Sequence, residues 1–146
     1  MTRGLAVLGM SVLLAASVAT SALAADVQVT DPWVRFILST TPAAGYFTLH
    51  NQGKAPIALD KASSPDCGMI MLHRSVNKNG SEVMEMVPSV PVPAGGEVHF
   101  APGGYHLMCM SPKAEMKPGA MVPITLGFDD GSSVTTQFPV RGATGK

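Results

Sequence analysis

Four side chains able to do chemistry recur at tight, irregular spacing: His73, ten residues, Met84, twenty-one residues, His106, one residue, Met108. Imidazole nitrogen and thioether sulfur are uncharged soft donors. A cluster of both without a carboxylate suits Cu(I) better than harder ions. The chemistry these four invite is holding a soft metal rather than turnover. No nucleophile elbow, zinc-protease helix or phosphate loop is present in the sequence, so the expectation is a protein that is not an enzyme.

Local patterning shows how the chain can position them. Residues 69–73 alternate as a strand, with Met69, Met71 and His73 on one face and Ile70 and Leu72 on the other. Asn77-Lys78-Asn79-Gly80 is a hairpin signal. A four-residue loop sets His73 opposite Met84, whereas a two-residue Asn79-Gly80 turn sets it opposite Met86 with Met84 diagonal. Both registers leave the three on one face, with opposed Cβ atoms ~5 Å apart. Residues 105–110 read as another strand, on which His106 and Met108 share a face and Cys109 points the other way. Six methionines (Met69, Met71, Met84, Met86, Met108, Met110) lie in or beside these two regions. A core is better specified by Leu, Ile or Val than by flexible Met, so this enrichment beside two histidines favours metal over filler.

The rest of the chain reads as scaffold. Short strands are expected over 27–29, 33–35, 44–50, from 57, 97–101, 120–128 and 132–140, separated by Gly, Pro and Asn turns. Pro88, Pro91 and Pro93 restrict their region to short or edge strands. No stretch keeps a helical apolar period, so the fold class is an all-β sandwich or barrel. His50, His99, Met116 and Met121 have no evident partners and are left as structural residues.

Composition bounds the setting. Arg3, an apolar run over 5–23 and Ala22-Leu23-Ala24 have the form of a secretory leader, leaving one domain over 25–146. The alternative is an uncleaved anchor, since the run approaches the ~20 residues of a membrane span. The formal net charge is +0, which offers no basic footprint for nucleic acid. Only 14% of residues are charged, against ~25% in typical soluble proteins, so an apolar or thioether-rich surface is expected. Cys67 and Cys109 are the two cysteines. In an oxidising compartment one disulfide is their ordinary use, and a thiolate metal ligand is the alternative. A blue-copper electron-transfer centre needs one Cys and two His with a weak axial Met, and the turn of Cys109 away from the face of His106 and Met108 opposes it.

The spacing of His73, Met84, His106 and Met108 resembles the signature of the PCuAC family of periplasmic copper chaperones. The resemblance runs through Asp31-Pro32-Trp33, Ala44-Gly45-Tyr46, Pro93-Ala94-Gly95-Gly96 and Pro102 to Met108. It implies a cupredoxin-like Greek-key β-sandwich that binds Cu(I) through those four residues. It also implies delivery of the ion to the copper-binding subunit of cytochrome c oxidase, alongside Sco-type thiol proteins, by a periplasmic protein not inserted in the membrane. Copper storage or tolerance is the alternative role. Two features depart from the family pattern. Arg74 follows the first histidine where Met is frequent, and the chain ends Arg141-Gly142-Ala143-Thr144-Gly145-Lys146, without a His- and Met-rich Cu(II) tail.

Overall fold

A computed structural model describes residue 24 and residues 26–146. The expected leader over 1–24 lies outside the described residues except for Ala24, whose amide donates to the Ser133 carbonyl at 2.9 Å.

Ten strands follow one another: β1 (Val27–Arg35), β2 (Ala43–Asn51), β3 (Ile57–Ser63), β4 (Cys67–Lys78), β5 (Ser81–Met86), β6 (Val90–Val92), β7 (Glu97–Phe100), β8 (Tyr105–Pro112), β9 (Met121–Phe128) and β10 (Ser133–Arg141). Their hydrogen-bonded order is β5-β4-β8-β7-β2-β1-β10-β9-β3-β6, with β8 also pairing β2. Neighbours distant in sequence (β4 with β8, β3 with β9, and β1 parallel to β10) give it the crossed connections of a cupredoxin-like Greek-key sandwich.

The core lies between the two halves of that order. Phe47, Leu49, Leu72, Phe100 and Leu107 from one half pack with Leu59, Ile124, Leu126, Phe128 and Phe138 from the other. Phe47 stacks on Phe100 at 4.3 Å and meets Phe138 edge-on at 5.7 Å, tying the layers together. These residues alternate with outward-facing ones along their strands, which is why a period of two was readable.

Two details differ from the expected strands. Residues 27–35 form one strand rather than two, because Asp31 takes a positive φ of 50° and the ladder with β2 shifts there as a bulge. The proline-rich segment keeps only Val90–Val92, at the free edge of the order beside β3, where a missing amide donor is tolerated.

Candidate metal centre

The β4–β5 hairpin chooses between the two expected registers. Asn79 and Gly80 both have positive φ, 54° and 83°, the combination a tight type I′ turn requires. His73 therefore pairs with Met86, and Met84 stands one rung on, opposite Ser75. On its other side β4 pairs with β8, setting His73 directly across from His106 and Met71 across from Met108. The two imidazoles meet edge-to-face with centroids 5.7 Å apart. Met84, His106 and Met108 line a cavity of about 150 Å³ together with Arg35, Tyr46 and Glu82. All four expected residues are thus gathered on the outer face of β5-β4-β8. His106 is 3% exposed and Met84 58%, so the cluster is closed at its floor and open at the hairpin.

The ring nitrogens decide what the cluster can do. Nδ1 of His106 lies 3.1 Å from the Gly104 carbonyl, and a carbonyl only accepts, so Nδ1 carries the proton and Nε2 keeps a bare lone pair. That Nε2 is buried and has no protein partner, and neither does the buried Nδ1 of His73. The Gly104 carbonyl also accepts from the Ser75 amide at 3.0 Å, so the turn before β8 is pinned to β4 while it orients His106. Gly103, at φ 83°, supplies the left-handed step that this turn needs. Burial, and secondly the neighbouring His106, hold the His73 imidazole below its ordinary range. A neutral ring keeps its lone pair for a metal.

Cys109 points into the core, as alternation requires, and its sulfur is bonded to that of Cys67 with Cα atoms 5.5 Å apart. Both cysteines of the chain are consumed by this bond, which removes the thiolate-ligand alternative. The bridge ties β4 to β8 on the core side, three residues along β8 from His106 and six along β4 from His73. Gly45, opposite Leu107, lets β2 approach the back of β8: a Cβ there would stand 3.2 Å from the Leu107 Cβ. Arg74, the departure beside His73, lies on the opposite face and sits 3.7 Å from Glu85, which also pairs with Lys78.

Sequence reading missed the cavity's polar wall. Tyr46 is buried, accepts a 2.6 Å hydrogen bond from Arg35, and lies 4.8 Å from Trp33 and 6.5 Å from His106 between ring centroids. Burial raises its pKa, with the nearby Arg35 guanidinium opposing. Strand alternation over 44–50 sets Tyr46 on the face of Thr48 and His50, opposite Phe47 and Leu49, but nothing in the sequence pairs it with β8. His50 and His99 also have company: Glu97 bridges them, at 2.9 Å to His50 Nδ1 and 3.1 Å to His99 Nε2.

Among the described residues no group of three or more His, Cys, Asp or Glu side chains is arranged to hold a metal ion. An ion at the His73–His106 pair has to draw on methionine, and two imidazoles with two thioethers suit a soft monovalent cation. Fold and cluster together define a β-sandwich with a His/Met cluster that is buried at His106 and open at the β4–β5 hairpin.

The sequence profile of the family described as "Putative lipoprotein LpqE-like" matches residues 27–140. The chain belongs to this LpqE-like family, the family of the PCuAC proteins. It is 37% identical over 139 residues to "Putative lipoprotein Lxx21020" of Leifsonia xyli subsp. xyli, covering 94% of this chain and 83% of that protein. It is 32% identical over 111 residues to the uncharacterized protein RP573 of Rickettsia prowazekii, covering 73% of this chain and 61% of the relative. Among solved structures, CuI-DR1885 from Deinococcus radiodurans superposes with a TM-score of 0.59 at 31% identity, covering 77% of this chain and 78% of that one. The copper-bound PCuAC domain from PmoF2 superposes with a TM-score of 0.67 at 23% identity, covering 80% and 93%, and so shares the fold.

Proposed function

We propose that this protein binds Cu(I) through His73, Met84, His106 and Met108 and acts as an exported copper chaperone. The observation that carries the reading is the pair of buried imidazole nitrogens without protein partners, His73 Nδ1 and His106 Nε2, beside two thioethers. Leaving polar atoms buried and unpaired costs about 1–3 kcal/mol each, and a bound soft cation relieves that cost. The Cu(I)-bound relative DR1885 adds support.

The ligand set suits a carrier rather than a redox centre. Thioethers have no proton to lose, so only the two imidazoles compete with H⁺. The exposed Met84 at the hairpin leaves one side of the ion open to an incoming ligand. Release then runs by stepwise exchange: an acceptor sulfur bonds to copper as the Met84 thioether leaves, and the oxidation state is unchanged. The acceptors proposed are the copper-binding subunit of cytochrome c oxidase and Sco-type thiol proteins. Export to the periplasm through removal of residues 1–24, leaving a single domain over 25–146, belongs to the same proposal. The names given to the family and to the Leifsonia relative support an envelope setting.

Anaerobic titration against a chromogenic Cu(I) chelator tests the binding. One tightly held ion per chain is expected, lost in a His106→Ala/Met108→Ala variant, and equal binding by that variant overturns the assignment. Mixing the copper-loaded protein with the apo copper-binding domain of the oxidase subunit tests delivery. Copper is expected to move to that domain, whereas retention by the chain favours storage.

A further inference from the structure

The register of β4 on β8 continues past the His pair in a way the four-residue centre does not use. Met71 faces Met108, and one rung further Met69 faces Met110. Ile70, Leu72, Leu107 and Cys109 between them pack toward the core, so the four thioethers stand on the outer face. Directly opposed Cβ atoms are ~5 Å apart and successive same-face positions on a strand about 7 Å, within the combined reach of flexible Met arms. Met69 is 57% exposed, while Met71 and Met110 are half-buried.

We propose that Met69, Met71 and Met110 form a second, all-thioether site for a soft monovalent cation, Cu(I) or Ag(I), with Met108 as the boundary it shares with the His/Met centre. Three neutral sulfurs without imidazole or carboxylate exclude hard cations and bind without competition from protons. Lacking imidazole, the site holds its ion more weakly than the first. An ion there is one rung from Met108, so exchange of one thioether for the next carries it toward His106 with no change in oxidation state. This transit role rests on the proposed function. The existence of the site does not.

The test is titration of the protein with Ag(I), followed by NMR of ¹³C-methyl-labelled methionine. The first equivalent is expected to move the Met84 and Met108 methyls, and a second, at least about tenfold weaker, those of Met69, Met71 and Met110. A Met69→Leu/Met71→Leu/Met110→Leu variant is expected to lose the second event and keep the first. These near-isosteric changes preserve the fold, which the remaining methyl shifts report, and Met69→Leu/Met110→Leu serves should the triple variant misfold. A His73→Ala/His106→Ala variant should lose the first event and keep the second, so failure of the proposed centre and failure of this site read differently. Uptake of one Ag(I) per chain, movement of all five methyls together with the first equivalent, or a second event surviving the Leu variants would overturn the proposal.

Discussion

The chain's four histidines form two pairs on one sheet face, wired in opposite ways. In the His50–Glu97–His99 group every ring nitrogen is occupied. Glu97 accepts from one nitrogen of each ring, and Thr30 and Thr48 lie 2.9 and 3.1 Å from the other nitrogens. In the His73–His106 pair one nitrogen is fixed by a carbonyl and two are buried without partners. A histidine becomes available to a metal through what its neighbours leave unsatisfied, not through its presence on a strand. The two pairs also differ in footing. The strands under His73 and His106 are clamped by Cys67–Cys109, whereas β2 and β7 under His50 and His99 are joined by backbone pairing and side-chain contacts with no covalent link.

The largest effect should come from the clamp. The disulfide spans a sequence separation of 42, and closing a loop of that size is worth roughly 4 kcal/mol in the chain-entropy account. Cys67→Ala/Cys109→Ala should lose about that much in denaturant unfolding, and a loss under about 1 kcal/mol would show that the two pairs do not differ in footing.

Removing the histidines should separate the pairs sharply. His73→Ala/His106→Ala is expected to weaken Cu(I) by at least about 100-fold, since even outer-shell partners are worth 10–100-fold. His50→Ala/His99→Ala should leave it within about threefold. Equal losses would show that the two pairs are alike as copper ligands.

Glu97→Ala sharpens it further by freeing a nitrogen on both His50 and His99. With exposed partners the stability cost should stay within about 1 kcal/mol. Cu(I) stoichiometry should not rise, because no thioether stands among that group. A gained Cu(I) site would show that free nitrogens alone suffice.

The smallest effect concerns pH. The folded His73 pKa lies below the 6.5 of an ordinary imidazole, so as pH falls the unfolded chain takes up this proton first. Stability then falls as pH drops from 6.5 through the folded pKa, and it is unaffected by this residue above 6.5. Denaturation midpoints compared between the parent and His73→Gln across that range check this, with the parent alone expected to carry the extra slope.

How much of this was legible in the sequence depended on range. The hairpin bringing Met84 near His73 follows from Asn79-Gly80, and the inward turn of Cys109, away from the His/Met face, follows from alternation, because both are local. The all-β class was legible for the same reason. The disulfide was the expected use of the only two cysteines, but His73 opposite His106 and Glu97 between His50 and His99 each depend on strands pairing across 20 to 50 residues. No propensity encodes such pairing, and the burial of Phe47, Leu107 and Phe138 in a common core selects it. The split expected at Asp31-Pro32 failed because a bulge absorbs the irregularity without ending the strand.

In the proposed centre His73, His106, Met84 and Met108 share one copper ion. X-ray absorption at the copper edge, on protein loaded with one equivalent of Cu(I), reads that shell. Two nitrogen and two sulfur scatterers are predicted, unchanged in His50→Gln/His99→Gln and stripped of nitrogen in His73→Ala/His106→Ala. A first shell without sulfur, or one altered by the His50 and His99 substitutions, would contradict it.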